Sequence, residues 1–102
     1  MQNGPQQRRA QRESVIMAAV CRTATGRKGD VSIVDLTAEG CCVFIKSVPL
    51  SEGLRVTVRP LAFEPLAGIV RWVRRGYAGI EFEKSLYGPV AVHLQKTWSA
   101  AR

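Results

Sequence analysis

The sequence predicts an all-β fold: a small six-stranded antiparallel β-barrel with a C-terminal α-helix and a flexible, basic N-terminal arm. Three observations carry this expectation. Six short apolar or alternating runs lie between Ser14 and Glu83, separated by Gly-, Pro- and Ser-containing turn signals at about 8–12-residue spacing. After Ser85 the apolar period lengthens to four, and before Glu13 the only large apolar side chain is Met1. A chain of 102 residues makes one domain with a modest core, and closing so small a sheet into a barrel removes the exposed edges that an open sheet would carry.

Residues 1–12 are rich in Gln, Arg, Asn, Gly and Pro and are expected to form an arm that orders only on binding. The barrel is expected over residues 13–84 and the helix with its tail over 85–102. Ser14 to Thr23 is β-compatible and mostly apolar, and the polar Thr25 to Asp30 segment turns it into a hairpin. In the second strand, Val31 to Leu36, strict alternation places Val31, Ile33 and Asp35 on one face and Ser32, Val34 and Leu36 on the other. Gly40 to Lys46 forms the third strand, and Ser47 to Gly53 reads as a loop. Leu54 to Arg59 alternates as a fourth strand that Pro60 ends, since proline cannot donate to a ladder. Leu66 to Arg74 and Tyr77 to Glu83 make the last hairpin around Arg74-Arg75-Gly76. Ser85 can cap a helix that tolerates Pro89 in its first turn, with Leu86, Val90, Leu94 and Trp98 along one face.

The formal charge of +7 implies an anionic partner without saying which. Apolar stretches reach only about six to eight residues, well below the roughly 20 needed to span a bilayer, so no membrane insertion is expected. The polar start lacks a secretory h-region, which makes the cytoplasm the expected compartment. Cys21, Cys41 and Cys42 have no CxxC spacing, and the adjacent pair would face opposite sides of a strand; buried, reduced thiols are the reading. His93, the only histidine, suits a surface or packing role. No catalytic arrangement, metal-ligand spacing or phosphate-binding glycine loop can be assembled, so neither an enzyme nor a metal or other cofactor is expected. Trp72 and Trp98 are expected to pack in the core or against the helix. Arg71, Arg74 and Arg75 form a solvated hairpin end where an acidic partner could dock.

Two segments carry chemistry. Arg8-Arg9-Ala10-Gln11-Arg12 sets guanidinium groups at i and i+4 on the arm, and Asp35-Leu36-Thr37-Ala38-Glu39-Gly40 gathers a carboxylate, a hydroxyl and a glycine where two strands turn. Arginine forks suit phosphate oxygens and the O6/N7 edge of guanine, and a carboxylate suits the guanine N1 and N2 donors. A guanine nucleotide with accessible phosphates would use all of these groups. The turn residues have plainer roles too: Asp35 and Thr37 can hydrogen-bond their own backbone, and Gly40 suits a position with positive φ or a β-bulge.

This pairing resembles the PilZ domain, the bacterial receptor module for cyclic di-GMP, whose pattern is an RxxxR arm followed by [DN]xSxxG. Arg8 and Arg12 match the first element; Asp35, Thr37 and Gly40 match the second, with threonine where the family usually has serine. Gly68-Ile69-Val70-Arg71-Trp72 and Gly79-Ile80-Glu81-Phe82 are similar to the family's later strands, so the likeness spans nearly the whole chain. The resemblance implies a PilZ-like barrel that binds cyclic di-GMP through Arg8, Arg12, Asp35, Thr37 and Gly40, with Arg9 as a secondary contact. It implies second-messenger signalling to a protein partner in motility, polysaccharide-synthesis or regulatory machinery. A PilZ-fold adaptor that binds no nucleotide is the alternative. A basic barrel binding single-stranded nucleic acid is a weaker one, because no aromatic platform accompanies the arm and no specific nucleic acid is indicated.

Overall fold

The computed structural model describes residues 13–86 and 88–100, with side chains described for residues 16–86 and 88–96. Six strands, β1 (Glu13–Thr23), β2 (Lys28–Leu36), β3 (Gly40–Ile45), β4 (Arg55–Pro60), β5 (Leu66–Arg74) and β6 (Tyr77–Phe82), precede helix α1 (Gly88–Ala100). All neighbouring pairs are antiparallel, and the order β1-β2-β3-β6-β5-β4 closes through β4 pairing with β1. Closure leaves no sheet edge, which satisfies the backbone groups that an open edge would expose.

Inward-facing residues fill the barrel. Met17 and Cys21 of β1, Val31 and Ile33 of β2, Val43 of β3, Val58 of β4 and Val70 of β5 are fully or almost fully buried in one cluster. Mostly β-branched aliphatic side chains suit a pleated, half-buried surface. The first hairpin is longer than expected: β2 starts at Lys28 because Arg22, Cys21 and Val20 pair with Lys28, Gly29 and Asp30. The turn is confined to the few residues around Gly26, whose φ of 97° is natural for glycine, and the Thr23 hydroxyl accepts a bond from the Arg27 amide at 3.0 Å.

Three strands carry an extra residue: β1 between Ser14 and Met17, opposite Val34, and β2 and β5, whose offsets shape the outer face. In β2, Ile33 pairs with Val43 and Asp35 with Cys42, so Val34 has no opposite number on β3. In β5, Val70 pairs with Ile80 and Trp72 with Gly79, so Arg71 has none on β6. Because side chains alternate with a period of two, each insertion reverses which face the following residues take. Asp35 therefore lies opposite to Ile33 instead of beside it, and Leu36 becomes the buried residue, 1% exposed. Trp72 likewise leaves the face of Val70. Both departures from strict alternation have this single cause.

The helix begins at Gly88, three residues after the expected Ser85 cap, with Pro89 in its first turn. The Glu83 amide donates to the Ala67 carbonyl and the Leu86 amide to the Ala38 carbonyl, at 2.9 and 2.7 Å, so tertiary bonds hold 83–86 out of the helix. The inward face of α1 comprises Ala91, Leu94 and Gln95, with Val90 and Leu86 packed against the core from the margin. The side chain of Trp98 lies outside the described set. His93 is exposed, as the sequence suggested. Gln95 is 6% exposed and its Nε2 donates to the Leu36 carbonyl, which ties the helix to the end of β2. Replacing Gln95 by Ala should lower stability by about 1–3 kcal/mol, since the buried carbonyl loses a donor. Val92→Ala, on the outward face, should stay within about 0.5 kcal/mol; paired thermal melts check both.

Candidate functional site

The register places Asp35, Cys42, Gly79 and Trp72 in one row across β2, β3, β6 and β5, since each pairs with the next. The two bulges create this row. They bring a carboxylate and an indole, both of which alternation would have turned inward, onto the outer face of the barrel. There they line a groove of about 430 Å³ together with Thr37, Glu39, Gly40, Arg71 and Glu81. That size falls within the usual range for small-molecule sites, roughly 300–1,000 Å³.

The turn between β2 and β3 forms one end of the groove. The Thr37 amide donates to the Gly40 carbonyl at 2.9 Å, the Glu39 amide donates to Thr37 Oγ1 at 3.3 Å, and Oγ1 itself donates to the Gly40 carbonyl at 3.4 Å. The hydroxyl thus shapes its own turn through two long bonds, as threonine does in side-chain-capped turns. Outside bonds pin the turn: the Phe82 amide donates to the Glu39 carbonyl at 2.8 Å, in addition to the bond from Leu86. Gly40 is required for neither positive φ nor a bulge. A Cβ there would lie 2.2 Å from the Ile80 carbonyl oxygen, so the close approach of β3 to β6 excludes any side chain.

Gly79 has a parallel role. A Cβ at this position would meet the Trp72 indole within 2.1 Å of Nε1, so the absent side chain is the seat of the ring. The guanidinium of Arg74 sits 5.3 Å from the Trp72 ring centroid. Trp72 is 36% exposed and forms a wall of the groove; the expectation of a core tryptophan gives way because of the Arg71 bulge. Arg71 Nε donates to Glu81 Oε1 at 2.6 Å, and both side chains are more than half exposed. Such a pair contributes little to stability and exchanges partners readily.

Among the described lining residues, Asp35, Glu39 and Glu81 are anionic and Arg71 alone is cationic. Arg8, Arg9 and Arg12 lie outside the described residues. Their attachment point is nevertheless defined: Arg12 precedes Glu13, which pairs with Leu36, and Ser14 pairs with Asp35. The arm therefore joins the barrel at the end of β2 that carries the turn.

Cys41 and Cys42 face opposite sides, as expected: Cys41 is buried, Cys42 half-buried on the groove side, and Cys21 buried in the core. Burial pushes the Cys21 thiol up to about 11, and burial first, then Cys42, Cys21 and Asp35, raises Cys41 further. Both are neutral packing groups at ordinary pH. No three His, Cys, Asp or Glu residues among those described are grouped to hold a metal, and no described helix is long and apolar enough to cross a membrane.

Sequence reasoning located Asp35, Thr37 and Gly40, and the structure gathers all three at one groove. It did not assign Arg71, Trp72, Gly79 or Glu81 to that groove. The only signal was the pair of glycine-marked strand patterns, whose alternation gives no sign of the bulge.

No protein-family model matches the sequence, and no curated protein matches it either. Among solved structures, the chain is similar to the crystal structure of the PilZ domain of CeSA from a cellulose-synthesizing bacterium, with a TM-score of 0.63 and 16% sequence identity. The match covers 86% of this chain and 97% of that one. In its closed six-stranded antiparallel barrel and its single C-terminal helix, the chain has a PilZ-like fold.

Proposed function

We propose that this chain is a receptor for cyclic di-GMP that catalyses no reaction of its own, acting in the cytoplasm of a bacterium. The observation that carries the reading is the placement of Asp35 in an outer groove at the point where the arginine arm joins the barrel. Asp35 would accept from guanine N1 and N2, while Arg8 and Arg12, with Arg9 as a secondary contact, would take phosphate oxygens and the O6/N7 edge. Thr37 would hold the turn and offer its hydroxyl to the ligand, and Gly40 would keep the groove floor clear.

Electrostatics explains why both segments are needed. A groove lined by three carboxylates and one arginine repels a nucleotide carrying two phosphates unless cations come from elsewhere. The arm supplies them. Ordering a polar arm costs conformational entropy, so nucleotide binding and arm closure are coupled, and the closed arm presents a surface that a partner protein can read. Partners in motility, polysaccharide-synthesis or regulatory machinery fit this output; the structural neighbour comes from a cellulose-synthesizing bacterium.

Isothermal titration with cyclic di-GMP should give micromolar or tighter binding that excess GTP does not displace. Arg8→Ala, Arg12→Ala or Asp35→Asn should each weaken it by roughly tenfold to a hundredfold, the equivalent of one lost guanine contact. Thr37→Val should weaken it too; unchanged affinity would assign Thr37 to the turn alone. No heat at high ligand concentration sinks the receptor reading and promotes an adaptor that binds no nucleotide.

Glu81 holds Arg71 and adds negative charge beside the phosphates, so Glu81→Gln should raise affinity by roughly threefold to tenfold. The same titration reads this gain, and a loss of affinity would show that Glu81 contacts the ligand. Cys42 offers a separate readout. Saturating nucleotide should slow its reaction with a thiol reagent, while Cys21 and Cys41 should react only on unfolding.

A further inference from the structure

We propose that the β5–β6 hairpin tip and the adjoining face of β3 form a docking surface for an acidic protein segment bearing aromatic or aliphatic side chains. Phe44, Tyr77 and Arg74 occupy one row across β3, β6 and β5, because Phe44 pairs with Tyr77 and Tyr77 with Arg74. Phe44 is 38% exposed and Tyr77 40%, and their rings meet edge to face with centroids 5.1 Å apart. Aromatic and arginine side chains packed together and left open to solvent have the composition of binding hot spots.

Charge gives the partner its sign. Glu81 pairs with Arg71 and Glu83 with Arg55, whereas neither Arg74 nor Arg75 forms an ion pair with a carboxylate among the described residues. Acidic side chains brought by another protein would complete them.

Backbone geometry gives an independent reason. Arg75 and Gly76 form the two-residue turn of the hairpin, with φ of 54° and 84°. Turns with two positive φ values favour Asn-Gly or Gly-Gly, and an arginine there is held against its conformational preference. A bulky side chain held in a disfavoured conformation at an exposed tip points to a use for that side chain.

The same surface fits nucleic acid poorly. Single-stranded nucleic acid calls for successive aromatic platforms along a basic groove, whereas here Phe44 and Tyr77 form one edge-to-face pair and the Trp72 indole is packed on Gly79 beneath the Arg74 guanidinium.

Fluorescence anisotropy with a labelled synthetic peptide of alternating glutamate and phenylalanine, compared with one of glutamate and serine, tests the proposal without nucleotide. Its failure is therefore separable from failure of the receptor reading. The phenylalanine peptide should bind more tightly, and Arg75→Asn or Tyr77→Ser should weaken it by about fivefold or more. Arg22→Asn, an exposed cation elsewhere on the barrel, should leave binding unchanged. Arg75→Asn relieves the turn, so its melting temperature should hold or rise and loss of binding cannot be ascribed to unfolding. Equal binding of the two peptides, no effect of Arg75→Asn, or an equal effect of Arg22→Asn would overturn the proposal. So would an oligonucleotide that displaces the peptide and still binds Tyr77→Ser.

Discussion

The groove depends on two single-residue offsets inside a closed ladder. A barrel strand cannot slide to relieve an extra residue, because both of its neighbours are fixed by the same closure. The chain absorbs Val34 and Arg71 as bulges, and everything downstream on each strand changes face. Each bulge turns one groove-lining side chain out of the core, Asp35 on β2 and Trp72 on β5. In exchange β2 turns Leu36 inward, where it is almost wholly buried. The apolar core therefore keeps its filling while a polar outer row is assembled above it.

Rigidity at the site comes from what clamps the turn between β2 and β3. Its carbonyls receive amides from Phe82 and Leu86, and the Leu36 carbonyl just before it receives Gln95 from the helix. Three distant parts of the chain thus converge on six residues. A turn fixed in this way presents its carboxylate and hydroxyl to the groove with little conformational freedom left to lose. The glycines at 40 and 79 serve the same end by letting β3, β6 and the indole approach more closely than any side chain would allow.

Charge divides the outer surface into unlike regions. In the groove, carboxylates outnumber the one described cation, whereas the neighbouring hairpin tip carries two arginines with no carboxylate partner among the described residues. Trp72 borders both, since it lines the groove and lies under Arg74. The indole is thus the side chain through which the groove and the tip adjoin.

The sequence by itself determined the number of strands and their succession along the chain, the terminal helix, the opposition of Cys41 and Cys42, and the turn that holds Asp35, Thr37 and Gly40. All of these rest on local signals: alternation, turn residues and a short motif. Tertiary structure alone decided which face Asp35 and Trp72 take, why Gly40 must be glycine, and why the helix waits until Gly88. Each of those outcomes depends on a strand or carbonyl far away in the chain, namely Val43 and Cys42 opposite Val34, the Ile80 carbonyl opposite Gly40, and Ala38 holding Leu86. Period-two alternation carries no mark of a one-residue bulge, because a bulge exists only relative to the strand beside it.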